Sequence, residues 1–444
     1  TFLDSVSVAG GAQYRYTPSG ALAQRDIAEG LELQEFAYTL QGQLKAINPL
    51  DMAEASTSAG GSHTFSMALD YYDGDYEAAN GQLGGRTADL FGSGKAEANY
   101  SGNLAAQRWK TRANVGTADL SGHFVYAYSY NHRNELLTAR FGQVLATANP
   151  AFTGTYSQLA DYFVNIGGYD LNGNFKQSFI RRGPANGKMD KLRYRYDKTG
   201  GKNRLTHIDD VWADFPGVDD LTDQAPNNYV YDARGQLVED IQADLRLEYD
   251  VYGKVKKVYE RSTNDLKVTY LYDVTGQRVG KEVPTGNPGE VLKTYYARAI
   301  GGQLQAIYEV LVSSSPGGQG TGGGGTGSGG IQLKELPIYG AGRLGVARYD
   351  GTLFAYEYQL SDHLGNVRAV ITRNIRELKQ VLVYRDYYPF GWELPGRTYT
   401  LGAGYRYGFQ GEYAERDEET GWSAFELRSY DGRVGRWMSI DPYE

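Results

Sequence analysis

The sequence predicts an all-β chain, a long antiparallel sheet assembled from stacked hairpins, and three observations carry that expectation. Tyr (38) outnumbers Phe (15) and, with Val and Thr, favours strands, while 58 Gly together with Asn and Asp supply turns. A short pattern recurs: Tyr-Asp, two variable residues, then Gly. The residues ahead of each copy alternate, Tyr229 with Tyr231, Leu247 with Tyr249 and Tyr270 with Tyr272, so that each pair lies on one face of a strand.

The pattern stands at Tyr169-Asp170-Leu-Asn-Gly173, Tyr196-Asp197-Lys-Thr-Gly200, Tyr231-Asp232-Ala-Arg-Gly235, Tyr249-Asp250-Val-Tyr-Gly253 and Tyr272-Asp273-Val-Thr-Gly276. The composition, with 30 Asp, predicts only about 0.3 such matches by chance. Looser copies identify the turn: Tyr16-Thr17-Pro-Ser-Gly20, Tyr130-Asn131-His-Arg-Asn134 and Ser361-Asp362-His-Leu-Gly365. A type I turn wants Asp, Asn or Thr first, where a side-chain oxygen accepts a backbone N–H, and tolerates Pro second. The closing residue turns left-handed and makes a bulge, which suits Gly and sometimes Asn. Each copy therefore reads as a hairpin, and the Asp-to-Asp spacings of 27, 35, 18 and 23 fit hairpins with variable far loops. One hairpin is marginal alone; stacking many in one sheet supplies the missing burial.

The same residues admit other readings. None of the Asp copies carries the further Asp or Asn and the twelfth-position Glu of an EF-hand. The acidic segment from Asp209 to Asp223 is either a solvated loop or a calcium site, though no ligand spacing stands out. His63, His123, His132, His207 and His363 lack zinc spacing, so no metal is expected. Abundant Tyr can stack on sugars or form cross-strand ladders.

A net charge of −8 without a Lys/Arg block argues against a nucleic-acid surface. The absence of Cys removes disulfide and thiolate chemistry. No run of 18 apolar residues predicts a membrane span. The opening TFLDSVSVAGG has neither Met nor signal peptide, and the chain reads as a processed or partial product. No cofactor is expected.

The stretch 313–330, SSSPGGQGTGGGGTGSGG, has linker composition and divides a repeat region (1–312) from a C-terminal segment (331–444). The C-terminal segment contains Asp362-His-Leu-Gly365-Asn-Val-Arg368, Tyr387-Tyr-Pro-Phe-Gly391 and Tyr430-Asp431-Gly-Arg-Val-Gly435-Arg436-Trp437 leading to Asp441-Pro442. These runs resemble the core domain of the rearrangement-hotspot (RHS), or YD-repeat, family. Upstream phrases such as NLAAQRWKT and MDKLRYRYD extend the resemblance over essentially the whole chain.

The resemblance implies a repeat sheet spiralling into a hollow shell, closed at one end by the core domain, around a variable C-terminal toxin. It implies a bacterial protein, secreted or at the cell surface, acting in interbacterial competition. Its partners would be the toxin domain, an immunity protein, and secretion machinery or a shell-completing protein. The alternative is a surface adhesin or glycan-binding protein. Some family members release the toxin with an aspartyl autoprotease, and Arg428, Asp431 and Asp441 match its positions. Turn capping by Asp431 and Asp441 is the competing reading, and the enzymatic assignment stays open. At ~4.8 Å per strand, on the order of 40 strands give a sheet roughly 190 Å long, whereas one turn around a domain-sized cavity takes roughly 140 Å. The expected shape is thus a curved, partly open spiral winding little more than once.

Overall fold

The computed structural model describes residues 3–7, 11–48, 63–75, 90–91, 96–112, 114–115, 118–119, 122–145, 155–176, 178–199, 203–218, 220–313, 330–374, 376 and 378–440. These residues form two 14-stranded antiparallel sheets, one running from Leu3–Ser7 to Arg204–Asp210 and the other from Tyr229–Tyr231 to Glu393–Thr400. A four-stranded sheet, Glu415–Arg416 to Arg436–Trp437, and a small two-stranded ribbon complete the described strands. Strand order follows the chain along both sheets, as tight turns between most neighbours favour, except that Thr155–Gln158 pairs only with Leu136–Leu145 off the path. No described helix is long and apolar enough to cross a membrane. Most of the Gly/Ser-rich stretch lies outside the described residues; the strands on its two sides, Leu304–Ser313 and Gln332–Tyr339, pair directly, Ile307 opposite Glu335.

Twisted sheets of this length curl, and this one returns to its own beginning. Tyr14, in the second strand, accepts a hydrogen bond at its hydroxyl from the Ala341 amide at 3.1 Å, and Ala12 and Tyr14 bury Leu344. About 20 strands on the sheet paths separate these two points, a circuit of roughly 100 Å, about 32 Å across. The fold is a curved, open β-shell that winds a little more than once.

The surplus winds inward. The strands Val367–Arg373, Lys379–Tyr387 and Glu393–Thr400 lie against the early strands. Arg373 donates to the Ala28 carbonyl at 2.7 Å and Lys379 pairs with Glu32 at 2.7 Å. Farther along, Phe390 meets Phe175 and Phe179 edge-on, and the Tyr194 hydroxyl donates to the Val434 carbonyl. One continuous apolar cluster, from Ile27 through Trp109, Phe141 and Leu192 to Tyr388 and Trp422, fills the space between. Packed sheets stand ~10 Å apart, so a ring this wide is occupied by one inner sheet and a strip of chain. Where family resemblance implies a hollow, the described C-terminal residues pack against the inner side of the early strands.

Candidate functional site

The Tyr-Asp turns share one geometry. In the copy at Asp250, its amide donates to the Lys254 carbonyl, the Gly253 amide returns to the Asp250 carbonyl, and Oδ1 accepts the amides of Tyr252 and Lys254 at 2.9 Å each. Asp170, Asp273 and Asp362 repeat this double acceptance, and Asn131 reproduces it with an amide oxygen. Asp232 accepts the Gln236 amide and Asp197 the Thr199 amide. Gly173, Gly235, Gly253, Gly276 and Gly365 have φ between 78° and 89°, and Asn134 has 62°. The pairing register slips just before Tyr16, Tyr130, Tyr196, Tyr231, Tyr249 and Tyr272, which is where a bulge adds its extra residue. Gly200 lies outside the described residues. At Asp170, burial opposes ionisation, yet hydrogen bonds from Asn174 and Lys198 hold the carboxyl down at about 2.

The structure supplies a role for the tyrosine that its strand propensity does not. The Tyr249 hydroxyl donates to the Leu237 carbonyl at 2.7 Å, two residues beyond the glycine of the preceding turn. Tyr272 reaches Val255 in the same register, Tyr169 reaches Leu136, Tyr130 reaches Leu104 and Tyr387 reaches Val367. Each tyrosine thus ties its hairpin to the one before by a bond that Phe cannot make. Burial pushes the phenols up, to about 12 at Tyr130, so that its hydroxyl remains a donor at any physiological pH. The residue after each turn glycine lies over the next turn: Gln236 approaches Gly253, Lys254 approaches Gly276 and Gln277 approaches Gly302, at 3.1–3.4 Å from where a Cβ would stand.

A second constellation sits where the inner sheet meets the wall. Asp386 is fully buried and is bonded by Arg368, by Arg397 (Nε at 2.8 Å) and by the Tyr384 hydroxyl. The Arg368 guanidinium stacks over Trp109 at 5.1 Å and that of Arg397 over Phe124 at 3.6 Å. Burial opposes the Asp386 charge, but Arg397 and Arg368 hold it below the usual carboxylate range. The same economy governs the C-terminal strip, where Arg278 pairs with Glu415 at 2.9 Å and the Tyr270 hydroxyl donates to Asp417 at 2.8 Å.

Of the three autoprotease positions, Asp441 lies outside the described residues. Asp431 is buried, caps its own turn by accepting the Arg433 amide, and pairs with the Arg433 guanidinium at 2.9 Å. Arg428 lies with its guanidinium over Trp437 at 4.4 Å. In the acidic segment, Asp210 accepts the amides of Lys191 and Trp212, Asp220 that of Phe215 and Asp223 that of Asp210, so these carboxylates organise a loop. Burial, with Asp190 and Asp220 nearby, raises Asp210 to about 6.

Sequence reading did not single out Arg368, Tyr384, Asp386 and Arg397 as a group. The available signal was charge inside otherwise apolar strand text, VRAVI and VLVYRDYY. They meet through the register of three consecutive strands, which the sequence does not announce, and only their stacking on Trp109 and Phe124 depends on the roll.

Against known proteins, a Teneurin YD-shell family model matches residues 168–300. Salivary gland surface protein 1 of Aedes aegypti is 26% identical over 224 residues, covering 50% of this chain and 6% of that protein. The Photorhabdus luminescens Tc holotoxin pore superposes with a TM-score of 0.54 at 16% identity, over 96% of this chain and 20% of that one. The TcdB2-TccC3-TEV structure gives a TM-score of 0.49 at 14% identity, over 97% and 20%. This chain therefore spans a fifth or less of the length of the proteins it matches. The family model lies over all five Tyr-Asp-x-x-Gly turns, so residues 168–300 match YD-shell repeat sequence, and the fold shared with the Tc chain runs nearly the whole length.

Proposed function

We propose that this chain is a structural segment of a toxin-associated shell, one that closes the shell and presents a C-terminal effector in interbacterial competition. The observation that carries the reading is the inward winding of residues 362–438 against the early strands, which makes a rigid plug from the family's core segment. The likeness in fold to a Tc toxin chain supports it. Because the described C-terminal strands pack against the early strands, this segment presents the effector and further chain encloses it. Secretion, an immunity protein for the effector and export machinery belong to the same proposal. So does self-cleavage by Arg428, Asp431 and Asp441, for which Asp441→Asn should block and Asp431→Asn should slow release of whatever follows.

The test is to express the sequence that naturally follows Glu444, with and without this chain. Toxicity of the following domain alone, relieved by a neighbouring immunity gene, is the expected outcome. A harmless following domain, together with specific binding of this chain on a glycan array, would replace the proposal with the adhesin reading. One observation favours that alternative: the Aedes aegypti relative is named as a surface protein.

A further inference from the structure

Between the paired strands Phe65–Asp70 and Ala106–Thr111 the chain makes a long excursion, residues 71–105, in place of a tight turn. The excursion stands in the row of turns. Gln43, just past one turn glycine, comes within 3.6 Å of where a Gly102 Cβ would stand, and Ser101 Oγ donates to Asn134 Oδ1 of the next turn at 3.2 Å. Neither Asp-x-x-Gly geometry nor, in a chain without Cys, a disulfide closes it.

Polar contacts hold its base. The Asn99 amide donates to the Tyr71 carbonyl at 2.7 Å, and the Ala105 amide to the Asp70 carbonyl at 2.8 Å. Asp75 accepts the Tyr71 amide at 2.8 Å and joins Asp70 on the buried Lys45 ammonium. These contacts fix the backbone beside Tyr72 and Tyr100, whose rings are offset-stacked with centroids 4.8 Å apart and 26° between their planes. Tyr100 is 79% exposed and Tyr72 half-buried. Other tyrosine pairs, Tyr126 with Tyr128 or Tyr405 with Tyr407 for example, lie within the wall, their hydroxyls donating to protein acceptors. Tyr72 and Tyr100 differ from these in being a pair that solvent reaches.

We propose that Tyr72 and Tyr100 are a site of oxidative coupling, at which a one-electron oxidant, a haem peroxidase using hydrogen peroxide, joins the two rings as dityrosine. Each phenol gives up one electron and its hydroxyl proton. The two phenoxyl radicals form a carbon–carbon bond ortho to their oxygens, and the two ring hydrogens at the joined carbons pass to the oxygens. Hydrogen peroxide takes both electrons and both protons and leaves as two waters. The radicals form side by side, so their coupling does not wait on diffusion. The new bond closes residues 72–100 into a covalent loop, a staple that restricts the unfolded chain as a disulfide does. The inference is independent of the toxin-carrier reading.

The 444-residue chain, kept dilute and treated with a haem peroxidase and hydrogen peroxide, tests it through dityrosine fluorescence and mass spectrometry of tryptic peptides. Trypsin separates the two tyrosines at Arg86 and Lys95. The expected product is therefore a linked peptide pair, lighter than its components by two hydrogens, from a chain that still migrates as a monomer. Tyr72→Phe and Tyr100→Phe, which keep the stack, should each lower the fluorescence at least tenfold. Tyr252→Phe, at an exposed tyrosine elsewhere on the wall, should leave it unaltered. Absence of dityrosine, coupling chiefly between chains, a yield that survives Tyr100→Phe, or an equal loss in Tyr252→Phe would overturn the proposal.

Discussion

The hairpins between Tyr229 and Ser313 and the inner strip between Asp362 and Met438 satisfy buried polar groups by opposite means. In the hairpins the repeated devices are local or one hairpin away: an Asp oxygen on two amides of its own turn, a Tyr hydroxyl on a carbonyl next door. In the inner strip the devices join residues far apart in sequence, Arg368 to Trp109, Arg397 to Phe124 and Tyr270 to Asp417. The first kind makes a wall of repeating, nearly independent units. The second decides that the wall rolls and what it rolls around.

The comparison predicts unequal costs. Asp386→Ala should be the most damaging change, leaving buried Arg397 without a counter-charge and Arg368 with only Asp362 at 3.5 Å, at about 3–5 kcal/mol; denaturant titration should show it, together with release of the inner sheet to proteolysis. If Asp386→Ala costs no more than a turn substitution, the inner strip is not held by its charges.

Acid should act on the same contrast. Asp386 and Asp417 titrate below the usual carboxylate value when folded, so their stabilisation is complete above about 3.9 and is lost as pH falls through their folded values. Asp210, raised to about 6, works the other way: its cost appears as pH climbs from about 4 through 6. Thermal stability should therefore be slightly higher near pH 5 than at pH 7 and fall steeply below about pH 4. A monotonic rise from about pH 3 to 7 would remove Asp210 from the account.

Smaller effects belong to the repeats. Gly276→Ala forces a side chain into a φ of 81°, at about 1–2 kcal/mol. Tyr249→Phe deletes one rung and strands the Leu237 carbonyl, at about 1 kcal/mol. Both should shift the denaturant midpoint without freeing the inner sheet. If Tyr249→Phe is neutral, the tyrosines are there for packing alone.

The same division explains what is legible in the sequence. The turns are legible because Asp, Asn or Thr at the first place and Gly or Asn at the last are demanded by backbone geometry within five residues, so Thr17 and Asn131 identify the turn as well as Asp250 does. The hydroxyl rungs are half legible: the Tyr recurrence is visible, but its acceptor lies one hairpin upstream, at a spacing that varies with the far loop. The Arg368, Asp386 and Arg397 cluster is not legible as a unit, because its three charges meet through a cross-strand register set by irregular turns, and their seats on Trp109 and Phe124 exist only after the sheet has rolled. For the same reason the sequence does not announce the inward packing of the C-terminal strands; strand counting gives a circumference and says nothing of where the surplus strands go.

The central claim is that the end of the sheet lies on its beginning. The chain has no Cys, so a single engineered pair reports without background. The Arg373 guanidinium reaches the Glu29 carbonyl at 3.2 Å across 344 residues, and both side chains are exposed. In a Glu29→Cys, Arg373→Cys double variant treated with a short bis-maleimide, the account predicts an intramolecular cross-link, read as a faster-migrating monomer on a denaturing gel and as one linked peptide pair by mass spectrometry. Two thiols that each react with maleimide yet never join would contradict it.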